Sequence, residues 1–245
     1  MHHEQKLLER IRPGMSDLLI IIPAYNEEAN IERVVDRLTK EFPQFDYVVV
    51  NDGSRDKTGE ICKRRHYNYL DLPVNLGLSG GFQAGIRYAC QKGYSCAIQF
   101  DGDGQHRPEY IGPMKEKMEE GYDIVIGSRF TEKKKIGSMR MLGSNLIEFA
   151  IRLTTKTVIK DPTSGMRMFN RRMIEEFSRE LNYGPEPDTI SYLLKQGAKV
   201  AEVPVVMDER ICGASYLTPI NASRYMIQML VSILFIRNFR KRNKK

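Results

Sequence analysis

The sequence predicts an α/β fold with a mostly parallel central sheet flanked by helices. Two observations carry this. Short runs of leucine and β-branched residues alternate with stretches of helical spacing, and most of those runs end in a cluster of acids, amides and glycines. The runs are continuously apolar, as expected of strands buried on both faces of a parallel sheet.

Residues 18–22 read Leu-Leu-Ile-Ile-Ile before Pro23, a first strand, and residues 27–40 carry Ile31, Val34, Val35 and Leu38 at helical spacing. Residues 47–50 form a second strand, with Asn51-Asp52-Gly53-Ser54 as its turn and a short helix from about Asp56; a third strand covers 67–72. A helix over 77–92, its start loosened by glycines, leads to a strand at 97–100 that runs directly into Asp101-Gly102-Asp103-Gly104. A helix over 108–120 and a strand over 123–126 follow. Beyond Arg129 the rhythm changes: a basic loop at 133–135, a long helix over 140–153 and an Asp161-Pro162-Thr163-Ser164-Gly165 turn. A strand at 166–169, a helix at 188–196, a strand at 199–206 and a terminal helix over 222–240 complete the chain. The predicted division is an extension over 1–17, one α/β domain over 18–217, and an amphipathic helix with a basic tail over 218–245.

A hydrophobic share of 41% and a charged share of 28% fit a globular protein and exclude both wholesale disorder and a polytopic membrane protein. The excess of positive charge, +7 in all, gathers at the end of the chain, in Arg237, Arg240, Lys241, Arg242, Lys244 and Lys245, which suits either an anionic partner or a plain solubilising tail. No aromatic-rich platform accompanies this charge, so nucleic acid is not the expected partner. The cysteines show no CxxC spacing, which argues against a zinc site or disulfide framework and fits a reducing cytoplasm. The first residues lack the apolar core of an export signal. The longest apolar stretch, 225–236, is interrupted by Gln228 and Ser232 and falls short of the ~20 residues a spanning helix needs.

Asp101 and Asp103 are the sharpest chemical signal. Two carboxylates one residue apart at a strand end can hold one hard divalent cation, Mg²⁺ or Mn²⁺, which neutralises a diphosphate leaving group. Gln105 and His106 follow closely, and a plain acidic turn is the other reading of the same residues. Asp52 ends the second strand and Pro23-Ala24-Tyr25-Asn26-Glu27 ends the first, so all three clusters are expected in one pocket. There a carboxylate can accept hydrogen bonds from a base or ribose and Tyr25 can stack, while Asn26-Glu27 also suits a helix start. Gly77, Gly80, Gly81 and Gly85 match neither the P-loop nor the dinucleotide fingerprint, which argues against a kinase or dehydrogenase.

Pro23-Ala24-Tyr25-Asn26-Glu27, Asn51-Asp52-Gly53-Ser54, Asn75-Leu76-Gly77, Asp101-Gly102-Asp103-Gly104-Gln105-His106 and Gly127-Ser128-Arg129 follow the order seen in glycosyltransferase family 2, which the chain resembles. Asp161-Pro162-Thr163-Ser164-Gly165-Met166-Arg167 and Glu202-Val203-Pro204 are similar to the dolichol-phosphate mannose synthase group and its bacterial polyprenyl-phosphate relatives. The resemblance implies a GT-A fold and an inverting transfer of sugar from a UDP- or GDP-sugar donor to a polyprenyl phosphate. It places Pro23, Ala24, Tyr25, Glu27, Asp52, Asp101 and Gly102 at the nucleotide-sugar, and Asp101, Asp103 and Gln105 at the metal. Arg129, Arg140, Ser144 and Arg210 are implied to hold the acceptor phosphate, with Asp103, Arg129 and Arg210 central to catalysis. Arginine suits this role because its planar fork grips phosphate oxygens, and an acceptor already anionic is its own nucleophile. Where the relatives carry a Gly-x-Ser-Lys, this chain reads Gly213-Ala214-Ser215-Tyr216, without the lysine.

Two other readings remain open at the level of sequence. Glu186 or Asp188 could act as general base if the acceptor were a hydroxyl of a lipid-linked saccharide in cell-surface polysaccharide synthesis. The chain could also be a non-catalytic nucleotide-sugar-binding partner of a membrane protein, although an intact pair of metal-binding carboxylates argues against it. The terminal segment places Tyr225, Met226, Met229, Leu230, Ile233, Leu234 and Ile236 at near-helical spacing before its cationic end. This suits an interfacial helix, each basic residue adding about 1 kcal/mol near an anionic leaflet, or a helix packed on its own domain or on a small membrane-protein partner. The expected location is cytoplasmic, peripherally bound to the inner face of the membrane.

Overall fold

A computed structural model of the chain describes residues 16–131, 139–179, 184–209 and 219–236, with only the backbone described for 139–140 and 219–223. The strands β1 (Leu18–Ala24), β2 (Asp46–Asp52), β3 (Tyr69–Leu72), β4 (Cys96–Gln99), β5 (Ile124–Ser128), β6 (Arg167–Asn170) and β7 (Val200–Pro204) form one sheet in the order β3-β2-β1-β4-β6-β5-β7. Only β6 runs against its neighbours, β4 and β5. The carboxyl ends of the other six strands therefore share one edge with the amino end of β6. The clusters at 23–27, 51–54, 101–106, 127–129 and 161–167 meet that edge.

The helices are α1 (Ile31–Glu41), α2 (Thr58–Arg64), α3 (Gly77–Lys92), α4 (Ile111–Glu119), α5 (Met139–Thr155), α6 (Arg171–Arg179), α7 (Pro187–Lys195) and α8 (Pro219–Val231), which continues as a π-helical turn, Ser232–Ile236. Alternate strand residues feed two cores. Leu19, Ile21, Val48 and Ile126 face α3, α5, α6 and α8, whereas Ile20, Ile22, Val49 and Ile98 face α1 and α4. The glycines of α3 serve this packing. A Cβ on Gly85 would lie 2.3 Å from Ile21 Cγ2, so α3 rests directly on β1.

Most elements lie within two or three residues of their sequence expectation. The first helix starts at Ile31 rather than 27, and the backbone N–H groups of Glu27 and Glu28 bond to Thr58 Oγ1 (2.9 Å) and Asp56 Oδ2 (3.0 Å) in the loop before it. Asn26, at φ 56°, turns the chain into this loop. Helix α6 was not anticipated between the expected strand at 166–169 and the helix at 188–196; it buries only Met173, Ile174 and Phe177. The terminal helix packs on the main core through Met229 and Ile233. Burial pushes the thiols of Cys62 and Cys96 up to about 11, and the described cysteines are unpaired. No helix among the described residues is long and apolar enough to cross a membrane.

Candidate functional site

The part of the edge expected to meet the nucleotide is built from the ends of β1 and β2. Asp52 is buried, and its two carboxylate oxygens accept hydrogen bonds from the Leu76 N–H (2.8 Å) and the Asn75 side-chain amide (3.1 Å). Each oxygen retains a lone pair for a further donor. Gly53, at φ 61°, permits this arrangement, since a Cβ there would lie 2.5 Å from the Asn75 nitrogen. The loop after β1 is tied to the loop after β2: Asn26 N–H donates to Ser54 Oγ (3.0 Å) and Arg55 N–H to Asn26 Oδ1 (2.9 Å). Tyr25 is exposed beside them, free to stack on a ring.

The end of β4 brings the two acids to the same edge. Asp103 is buried, with Oδ1 accepting from the Gln105 N–H (3.0 Å). Asp101 is about one-third exposed; Oδ1 accepts from Gln99 Nε2 (3.3 Å), and Oδ2 lies 3.5 Å from His106 Nε2. His106 Nδ1 accepts from the Asp101 N–H (2.9 Å), so the imidazole carries its proton on Nε2, toward that carboxylate. Gly102 lets this turn approach β1: a Cβ there would stand 3.1 Å from the Pro23 carbonyl oxygen. Two hard carboxylates fit Mg²⁺ or Mn²⁺, but among the described residues no group of three metal-binding His, Cys, Asp or Glu side chains exists. Any cation here would need oxygens from a bound diphosphate or water to complete its shell. Gln105 donates its amide N–H to the Asp208 carbonyl (3.3 Å), leaving Oε1 as its only contribution to a cation.

Arg129 follows β5 at the same edge. Its Nε and Nη2 bond both oxygens of Asp161, at 2.7 and 2.8 Å, while its own N–H adds a third bond at 3.0 Å. Asp161 is completely buried. Burial works against the guanidinium charge, but the bonds and charge of Asp161 outweigh it and hold the pKa above that of free arginine. The planar fork of Arg129 is thus turned to a protein carboxylate through Nε and Nη2. Glu202 in β7 fixes the partner in turn, accepting the N–H groups of Lys160 and Asp161, both at 2.8 Å.

Of the other expected acceptor residues, Ser144 lies on the inner face of α5, buried, with an Oγ that makes no hydrogen bond. Arg140 stands in the first turn of α5, its side chain outside the described residues, and Arg210 and Tyr216 lie outside them altogether. Asp208, two residues before Arg210, is bonded to the metal-side loop through its N–H and the Gln105 carbonyl (2.9 Å) and through Arg107 Nε (2.6 Å). Glu186 and Asp188 begin α7 and are both engaged by the terminal helix: Tyr225 donates to Glu186, and Ser232 Oγ to Asp188 Oδ2 (2.6 Å). Roles for Asp161, Glu202 and Arg167 were not assigned from the sequence; their only signal there was membership of the motifs that carry the family resemblance.

Helices α5 and α8 also present an outer face. Leu142, Leu146, Phe149 and Leu153 on α5, and Ile227, Val231, Phe235 and Ile236 on α8 and its π-helical end, are 44 to 64% exposed. Their spacing places them in one stripe per helix. The two helices pack closely at Gly143, where a Cβ would lie 2.7 Å from Met226 Cγ.

Comparison with known proteins agrees with this architecture. Residues 19–178 match the family model Glycosyl transferase family 2. The polyprenol monophosphomannose synthase of Mycolicibacterium smegmatis is 28% identical, covering 89% of this chain and 87% of its own. The UDP-N-acetylglucosamine--dolichyl-phosphate N-acetylglucosaminyltransferase of Methanococcus voltae is also 28% identical, over 78% of this chain and 86% of its own. Among solved structures, glucosyl-3-phosphoglycerate synthase from Mycobacterium tuberculosis, in complex with Mn²⁺, UDP and phosphoglyceric acid, superposes with a TM-score of 0.66 at 17% identity, covering 96% of this chain and 86% of that one. With a sheet of this order and strand ends gathered on one edge, the chain has the GT-A fold and belongs to glycosyltransferase family 2.

Proposed function

We propose that the protein transfers a sugar, with inversion, from a UDP- or GDP-sugar to a polyprenyl phosphate at a membrane surface on the cytoplasmic side. One observation carries the lipid-phosphate reading. Helix α5 bears Arg140 and the inward, unbonded Ser144 near one end, while its opposite face is the exposed stripe Leu142, Leu146, Phe149 and Leu153. A phosphate at the inner side of this helix would have its hydrocarbon chain beside that apolar stripe, on a helix packed against α8 at Gly143. The basic residues at 133–135 and after 236 suit an anionic leaflet around such a surface. The relatives named above act, by their names, on polyprenol or dolichyl phosphates.

In this reading Asp52, Tyr25 and the Pro23–Glu27 loop hold the base and ribose. Asp101 and Asp103, with Gln105, would hold Mg²⁺ or Mn²⁺, which neutralises charge on the departing nucleoside diphosphate. Arg129 offers Nη1 to the acceptor phosphate, with Ser144, Arg140 and Arg210 as its further contacts. The phosphate oxygen attacks the anomeric carbon opposite the leaving group, and no general base is required because the nucleophile is anionic at neutral pH. That matches Glu186 and Asp188 being occupied by Tyr225 and Ser232. The competing reading, extension of a lipid-linked saccharide at a hydroxyl, would need one of those two acids as base.

Arg140→Ala separates the two. On the lipid-phosphate reading it raises KM for polyprenyl phosphate and leaves the nucleotide-sugar Kd unchanged; loss of donor binding with an unchanged acceptor KM contradicts the assignment. Transfer to a lipid-linked saccharide but not to polyprenyl phosphate would select the second reading.

A further inference from the structure

Arg167 opens β6 at the site's edge and is among the largest side chains completely buried in the protein, 1% exposed. A guanidinium in such a place is costly unless its N–H groups are bonded and its charge is balanced. Its Nη2 donates to the Pro162 carbonyl (2.5 Å) and its Nη1 to the Pro185 carbonyl, while Nε is buried without a partner. Burial draws its pKa below that of free arginine, and Tyr225, Glu186, Asp161 and Asp101 act against this from around it.

The two carbonyls belong to two separate loops. The first loop, 161–165, carries Asp161, the partner of Arg129, and Gly165, where a Cβ would lie 2.7 Å from Asp101 Oδ2. The second, 184–186, carries Gly184, where a Cβ would lie 2.2 Å from Ser79 Oγ in the first turn of α3, and Glu186, which Tyr225 holds. One side chain therefore joins two loops: the one that carries the partner of Arg129 and lies against Asp101, and the one against α3. A planar fork is a group that can reach both carbonyls at once.

We propose that Arg167, backed by Tyr225 from the terminal helix, is a positioning residue for sugar transfer, holding Arg129 and Asp101 in fixed relation by tying the 161–165 turn to the 184–186 loop. The proposal rests on the acceptor and metal roles given above for Arg129 and Asp101. It assigns no contact between Arg167 and substrate, and it makes the terminal helix part of the site's frame as well as of the apolar face.

The test is Arg167→Lys, which keeps the charge but replaces the fork by a single ammonium, with Tyr225→Phe as the second variant because it removes one hydroxyl and leaves the core filled. For Arg167→Lys we expect kcat to fall on the order of 10²-fold, the scale that a misplacement of about 1 Å away from the chemistry brings. The Kd for nucleotide measured without divalent metal, which reads the base and ribose contacts alone, should stay unchanged, and amide exchange should quicken in both 161–166 and 184–189. Tyr225→Phe should lower kcat severalfold, again at constant nucleotide Kd, with faster exchange confined to 184–189. Unchanged kcat in a folded Arg167→Lys protein overturns the proposal, as does faster exchange in only one of the loops. If Arg167→Lys does not fold, an unchanged kcat in Tyr225→Phe overturns it. If the wild-type protein transfers sugar to no lipid phosphate, the function proposed above falls, and the paired exchange measurement still decides whether Arg167 ties the loops.

Discussion

Replacing Asp161 by asparagine removes one charge from a completely buried position and changes little else in shape. The carboxylate accepts from the N–H and Nε of Arg129 on Oδ2 and from Nη2 of Arg129 and Thr163 Oγ1 on Oδ1. An asparagine can keep only one of these two faces, because its amide nitrogen is itself a donor. The less costly orientation keeps oxygen toward the N–H and Nε and turns nitrogen toward Nη2. This loses one charge-assisted bond, worth about 1.5–3 kcal/mol, and leaves a guanidinium that is only about one-third exposed without its counter-charge. A loss near the upper end, about 3 kcal/mol, follows, or a fall in Tm of roughly 6–12 °C for a chain of this size. Because Arg129 loses its orientation, the acceptor KM should rise while the nucleotide Kd does not. Calorimetric melting and steady-state kinetics check both. A Tm within about 1 °C of wild type together with an unchanged acceptor KM would refute the reasoning, since the pair would then set neither stability nor orientation.

Further perturbations read other parts of the structure. Gly85→Ala should destabilise the fold by about 1–3 kcal/mol, seen as a lower urea midpoint with unchanged m-value, because its Cβ would meet Ile21 Cγ2 at 2.3 Å. Asp123 titrates below its ordinary 3.8: burial works to raise it, but bonds from Arg172, the Lys199 N–H and Asn170 outweigh that. Its folded pKa being depressed, the stability it contributes is present above about pH 4 and lost as pH falls through the folded value; Asp123→Asn should therefore lower Tm at pH 7 and flatten the acid limb below pH 4. Phe149→Glu with Phe235→Glu should abolish co-sedimentation with anionic vesicles at unchanged Tm, since both rings are already more than 60% exposed. Asp103→Ala should remove metal-dependent turnover and leave a folded protein by circular dichroism.

The fold was legible because the buried runs 18–22, 47–50 and 97–100 are continuously apolar and end in polar clusters, which sets both the sheet and its polar edge. The reversal of β6 was not, since four residues such as Arg167–Asn170 carry no mark of strand direction. The candidate residues in the turns after β1, β2 and β4 could be named from local motifs, as each turn is a few residues long. The long-range pairs could not: Arg129 with Asp161, Glu202 with the backbone at 160–161, and Tyr225 with Glu186. Nor does spacing alone tell which face of an amphipathic helix meets the core. In α8, Met229 and Ile233 turn inward while Ile227, Val231 and Phe235 turn out, and α5 presents a matching stripe that the sequence reading did not separate from its core face.

The central claim, metal-dependent transfer of sugar to a lipid phosphate, is tested most directly by following a radiolabelled sugar from UDP- and GDP-linked donors in the presence of Mn²⁺ and a short polyprenyl phosphate. The account predicts that label from one donor passes into the organic phase as a product released by mild acid, and that EDTA stops the transfer. Label that stays in the aqueous phase, while calorimetry shows the same donor bound to the protein, would contradict it.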